Sequence, residues 1–313
     1  MMINRRRFAA DLSMSLVALG IGKASPLSFA AKRPQVAVTL DDFVVFDTPL
    51  LSKTARNEAL LAALRKHKLQ AAMFVAGRYV DKESNMDLVR RWDAEGHMIA
   101  NHTYSHSHYP DADFQKFTAD ILRNEALLKP LPRFRKFLRF PYLKEGDTAQ
   151  QRDRIRAFMR QHGYRNGHVT IDASDWYVDE RLRQRLKENE RADIKPYRDF
   201  YLSHIWERAA YYEDLSQKVL GRSVKHTLLL HHNLLNGLFL GDVLQMFRDK
   251  GWQLLNAEEA YTDPVFSRSP NIAPAGESLV WALAKETGKF EKSLRYPAED
   301  GTYEKPKMDA LGL

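Results

Sequence analysis

Short apolar runs of strand length alternate with longer stretches of helical period along most of this chain, and that alternation leaves few folds open to it. Residues 35–40 (QVAVTL), 70–75 (QAAMFV), 97–100, 136–140, 168–171, 225–230 and 252–255 read as strands. Between them, 52–67, 86–95, 111–128, 148–162 and 235–250 read as helices, several stopped by Gly96, Pro130, Gly163 or Gly251. Strands that each lead into a helix pair in parallel with the helices packed outside, so the pattern predicts an α/β barrel or an open doubly wound sheet. Two stretches depart from it. Residues 177–221 are charged and helix-forming with no strand between their parts, which predicts a helical insertion over one face. From 264 to 313 Pro and Ser accumulate around one short helix at 279–285, and the last residues (AEDGTYEKPKMDALGL) read as a mobile tail.

The 313 residues include no cysteine, which excludes a disulfide framework, a thiolate metal site and a cysteine nucleophile, so any metal must be held by His and carboxylates. The N-terminus has a basic segment with paired arginines (Arg5, Arg6, Arg7), a weakly apolar run over 12–21 and a small-residue end at Ser28–Ala30. It resembles a twin-arginine signal peptide over 1–30, with an apolar run too short to span a bilayer; the resemblance implies cleavage, a periplasmic or otherwise exported protein, and no stable membrane insertion afterwards. Those thirty residues carry three Arg, one Lys and one Asp, which leaves +5 of the chain's formal +8. The remaining basic residues form no run of five, and no nucleic-acid partner is expected. Oligomeric state is not legible.

In parallel α/β folds ligands bind beyond the carboxyl ends of the strands. Here five strand segments end in chemistry-bearing residues: Asp41 and Asp42; Asn101 and His102, with His106 four residues on; Arg139; Asp172, with Asp175 and Trp176 following; and His231, His232 and Asn233. One carboxylate with His102 and His106, whose spacing would put two imidazoles on one side of a helical turn, makes a His₂-carboxylate set able to bind a divalent cation with positions open to water and substrate. Of two adjacent aspartates, one can ligate while its neighbour takes a proton from the attacking water. A guanidinium such as Arg139 can hold that second carboxylate ionised and oriented, and His231 could protonate a leaving group. This describes metal-assisted acyl hydrolysis. His108 lies in a turn outside the set, and His232 reads as a structural neighbour of His231.

The ordered segments TLDD (39–42), GHMIANHTYSH (96–106), RFPY (139–142), DASDW (172–176) and LLLHHN (228–233) resemble the five motifs of the polysaccharide deacetylase, or NodB-homology, family of carbohydrate esterases, over about 36–260. The resemblance implies a distorted (β/α) barrel, here over 31–263 with the helical insertion, and a divalent metal, Zn2+ foremost, with Co2+, Ni2+ or Mn2+ as alternatives. It makes Asp41 the general base and Asp42, His102 and His106 the ligands. Arg139 would orient Asp41, the backbone N–H of Tyr142 would help bind the oxyanion, and His231 would be the general acid, supported by Asp175 or, failing that, Asp172. Trp176 and Tyr142 would contact substrate, and Tyr197, Tyr201, Trp206, Tyr211 and Tyr212 of the insertion are candidate sugar-stacking residues. The activity implied is removal of acetyl groups from an acetylated glycan, foremost the acetamide of N-acetylglucosamine units. An O-acetyl esterase acting on xylan-like sugars and a non-catalytic glycan-binding protein are the alternatives. This chain has Leu40 where the family often has an aromatic, and His232 where an acidic residue is frequent.

Overall fold

A computed structural model of the chain describes residues 33–295 and 301–313; the signal-like segment lies outside the described residues. The strands are β1 (Gln35–Asp42), β2 (Ala72–Val75), β3 (Met98–Asn101), β4 (Phe134–Leu138), β5 (Lys144–Gly146), β6 (Arg165–Asn166), β7 (Lys225–His231), β8 (Gln253–Leu254) and β9 (Ala275–Gly276). The helices are α1 (Lys53–His67), α2 (Glu83–Ala94), α3 (Phe114–Leu128), α4 (Ala149–Gln161), α5 (Asp175–Glu188), α6 (Lys195–Leu220), α7 (Leu234–Asp249), α8 (Ala257–Ala260), α9 (Leu279–Glu286) and α10 (Glu304–Leu311).

The main sheet is parallel in the order β6-β4-β3-β2-β1-β7, with β8 beside the start of β1. Its two ends are brought together by residues 167–171. The N–H of Gly167 donates to Leu138 O at 2.7 Å, that of Ile171 to Thr227 O at 3.0 Å, and that of Leu229 to Ile171 O at 3.0 Å. A curled sheet closed by one irregular segment is the distorted α/β barrel expected, except that 168–171 contributes only a single bridge, Ile171 to Leu228, in place of a strand. The central strands are buried on both sides, which is why they read as continuous apolar runs. No helix among the described residues is long and apolar enough to cross a membrane.

The insertion is the helix pair α5 and α6, as its composition indicates. Beyond α8 the described residues include further folded elements. β9 pairs antiparallel with β5, a ribbon with no hydrophobic signature to announce it. Gly276 is required there: it has φ +133°, and a Cβ would lie 2.0 Å from Leu143 O. The stretch read as a mobile tail instead holds α10, whose Met308 is fully buried in the main core and whose Lys307 pairs with Glu207 of α6 at 2.7 Å. One buried methionine in an otherwise polar helix is too little pattern to read. Met308→Ala is expected to cost about 2–5 kcal/mol through the cavity it leaves, measured as a lowered urea midpoint at unchanged slope.

Candidate active site

The carboxyl ends of β1, β3, β4 and β7 meet at one cleft of about 330 Å³, lined among others by Asp41, Asp42, His102, His106, Tyr142, Trp176 and His231. Asp41 and Asp42 diverge because the chain turns sharply between them: Phe43 N–H donates back to Asp41 O at 3.0 Å, and Asp42 at the centre of this three-residue turn has φ +77°. Phe43, also left-handed, stacks on the His232 ring at 4.4 Å.

Asp41 is buried, and its Oδ1 accepts a hydrogen bond from Arg139 Nη1 at 2.6 Å. Arg139 is itself almost fully buried, a position tolerable only if its donors are satisfied. Nε donates to Gly167 O at 2.7 Å, Nη1 also to Thr39 Oγ1 at 2.9 Å, and Nη2 to Tyr261 OH at 3.0 Å, with the guanidinium 3.9 Å above the Phe74 ring. Thr39, Phe74 and Tyr261 were not legible as site residues. Tyr261 in particular stands alone after α8, and no local spacing links it to Arg139.

Asp42 Oδ1 lies 3.4 Å from His102 Nε2 and 3.1 Å from His106 Nε2, and accepts no hydrogen bond of good geometry although it is buried. Burial opposes its ionisation, but the two imidazoles, with His231 further off, hold its carboxyl well below the usual range. His102 Nδ1 lies 2.9 Å from Arg139 O, an acceptor only, so Nδ1 carries a proton and Nε2 is the ring atom turned toward Asp42. One ligand atom from each of Asp42, His102 and His106 falls within 4.8 Å of the others. A buried unpaired carboxylate oxygen facing two imidazole nitrogens fits a divalent cation.

The two histidines do not share a helical turn. Residues 102–106 form an irregular loop with Thr103 at φ +62° and His106 at φ +57°. A left-handed β-branched residue costs on the order of 1–3 kcal/mol. Hydrogen bonds hold the loop against that cost. Asn101 Oδ1 accepts from Thr103 N–H at 2.8 Å, Asp120 Oδ2 of α3 accepts from the N–H groups of Tyr104 and Ser105 at 2.9 Å each, and Thr103 Oγ1 accepts from His106 N–H at 3.0 Å.

His231 is the register partner of Asp41 across β1 and β7. Its Nδ1 lies 2.7 Å from Asp175 Oδ1, and its N–H donates to Asp175 Oδ2 at 2.9 Å. Burial would lower the His231 pKa, but the Asp175 carboxylate outweighs it, aided by Asp42 and Asp41, and pushes it up to about 10. Asp172, the alternative support, is buried 4.0 Å from Arg208 and makes no such bond to His231. His232 Nδ1 lies 3.1 Å from Val44 O, to which it donates, and Nε2 lies 3.2 Å from Asn57 Oδ1; burial with Arg56 nearby pushes its pKa down to about 3, so it is a neutral packing residue. His108 pairs with Asp111 outside the cleft. Tyr142 is half exposed, its ring 4.9 Å from that of His106. The insertion's aromatics do not reach the cleft: Tyr197, Tyr201 and Tyr212 are buried in the core, Trp206 packs on Trp252, and Tyr211 on Tyr212.

The strand ends of a curled parallel sheet thus gather two aspartates, two histidines and a His–Asp pair at one α/β site. Residues 30–167 match the model of the polysaccharide deacetylase family. The segment carries Asp41, Asp42, His102, His106, Arg139 and Tyr142; Asp175 and His231 lie beyond it. The chain is 33% identical over 111 residues to a peptidoglycan-N-acetylglucosamine deacetylase of Bacillus cereus, covering 35% of this chain and 37% of that protein. It is 32% identical over 118 residues to a chitooligosaccharide deacetylase of Rhizobium leguminosarum bv. trifolii, covering 37% of this chain and 51% of that protein. The chain thus spans between about a third and about half of the length of these two curated relatives. Among solved structures, the fold is similar to the polysaccharide deacetylase Bc1974 from Bacillus cereus, with a TM-score of 0.51 at 18% identity over 72% of this chain and 92% of that one. It is also similar to a CE4 family pseudoenzyme from Bacillus anthracis, with a TM-score of 0.51 at 13% identity over 73% and 66%.

Proposed function

We propose that this protein is an exported, metal-dependent deacetylase of acetylated glycans, acting on the acetamide of N-acetylglucosamine units. The observation that supports this most is the convergence of a base, a ligand set and an imidazole acid on one cleft, with Asp41 anchored by Arg139 and His231 by Asp175. Asp42, His102 and His106 would hold the cation. When bound, it supplies Lewis acidity, making water more acidic and polarising the acyl oxygen. Asp41 takes the proton from the attacking water, with Arg139 fixing the orientation of its carboxylate. The water oxygen forms its bond to the acyl carbon, the Tyr142 N–H donates to the oxygen on which charge develops, and the C–N bond breaks as His231 Nε2 gives its proton to the departing nitrogen. Acetate and a free amine leave. Trp176 and the half-exposed Phe46 and Tyr142 give the cleft apolar surface for a sugar face. The test is metal analysis of the purified protein with acetate release from acetylated chito-oligosaccharides, peptidoglycan fragments and acetylated xylan. Export is tested by whether the N-terminus of the secreted protein begins near Ala31.

His231 acts as an acid only while protonated, so its contribution is present below its pKa and lost as pH rises through it. Asp175→Asn removes the charge that raises that pKa. The alkaline limb of the pH–rate profile should therefore move down toward about 6.5, the range of an unperturbed imidazole, with a larger rate loss at pH 9 than at pH 6. An unmoved limb would assign the acid elsewhere.

A further inference from the structure

We infer that α6 is a positioning device for the His231–Asp175 pair, acting through Tyr201, His204 and Arg208; this rests on the reading of His231 as the acid. The three residues are spaced i, i+3 and i+7 and so share one helix face, and all three are buried. Each bonds a different part of the structure around Asp175. Tyr201 OH donates to Asn236 Oδ1 at 2.5 Å, and Asn236 Nδ2 donates to Asp175 Oδ2 at 2.7 Å. His204 Nε2 accepts the N–H of Ser174, the residue before Asp175, at 3.0 Å. Arg208 Nε donates to Asp172 O at 3.0 Å. One helix face thus fixes the carboxylate through a side-chain relay and fixes the backbone of the loop at two further points. Because Nε2 of His204 is an acceptor, its proton resides on Nδ1, and Glu304 of α10 faces that atom with Oε1 at 3.4 Å, buried with it. Burial keeps the His204 pKa well below its usual range, consistent with this neutral tautomer.

The insertion therefore has a use beyond covering one face. A helix that holds a carboxylate from behind decides which rotamer meets Nδ1 of His231, and partners of this kind typically change activity about 10–100-fold when lost. Two substitutions test the arrangement. Tyr201→Phe removes one hydroxyl at constant shape, and His204→Leu removes the acceptor for Ser174 N–H. Each is expected to lower kcat about tenfold with KM little changed and to move the alkaline limb of the pH–rate profile in the direction of Asp175→Asn. His204→Gln, whose amide oxygen can replace Nε2 as acceptor, should recover most of the loss. In an Asp175→Asn background, Tyr201→Phe should add no further loss, because its effect passes through Asp175. A readout independent of turnover is the downfield proton resonance of the His231 Nδ1–H to Asp175 hydrogen bond. It should weaken or shift in Tyr201→Phe, and this holds even if no glycan in the panel is a substrate, so a failed function and a failed inference are separable. Tyr201→Phe with the original pH profile and resonance, or Tyr201→Phe and Asp175→Asn adding independently, would overturn the inference. So would a His204→Gln variant as impaired as His204→Leu. If His204→Leu does not fold, Tyr201→Phe carries the test alone.

Discussion

Asp41→Asn should lower kcat for deacetylation by at least about a hundredfold while leaving metal content and fold intact, the lower end of what removing a general base costs. The amide keeps the shape of the carboxylate and can still accept from Arg139, but it cannot take a proton. The fold tolerates the change because Arg139 retains Gly167 O, Thr39 Oγ1, Tyr261 OH and the Phe74 ring. The checks are single-turnover acetate release beside a thermal melt and metal analysis. A variant that turns over at the original rate would remove Asp41 from the reaction.

The second large effect is expected for His102→Ala, which should lose bound metal and activity together. His102 is the most enclosed of the three ligand candidates, and its orientation is imposed by the Arg139 carbonyl, so the substitution removes a ligand atom that the fold holds in place. Metal stoichiometry after dialysis and rate across added Zn2+ give the measurement. Rates at background at all metal concentrations, with substoichiometric metal, are the expected outcome; full occupancy at the original rate would redraw the ligand set.

The succession of strands and helices along the chain was legible because both-sides-buried strands leave apolar runs and because helix stops punctuate them. The residues at the strand ends were legible for the same reason: parallel topology fixes where a strand's last residue points its chemistry. What escaped notice depends on contacts distant in sequence or on backbone conformations that composition does not encode. His102 and His106 come together through two left-handed residues and the side chains of Asn101 and Asp120, not through helical periodicity. Tyr261 reaches Arg139 across 122 residues of chain. The aromatics of α6 were read as candidates for sugar contact, and a helix of near-uniform polarity gave no sign which face turns inward; Tyr201 turned out to serve Asn236. The choice between Asp172 and Asp175 was equally a matter of geometry: Asp175 opens α5, and its carboxylate meets Nδ1 of His231 on β7.

Arg139 touches both halves of the chemistry from a single residue: its guanidinium grips Asp41, and its carbonyl accepts from His102. The residues proposed as proton acceptor and as metal ligand are therefore both tethered to one residue just past the end of β4. Lysine in place of Arg139 would keep the carbonyl tether while loosening the grip on Asp41, separating two constraints that the native residue imposes together.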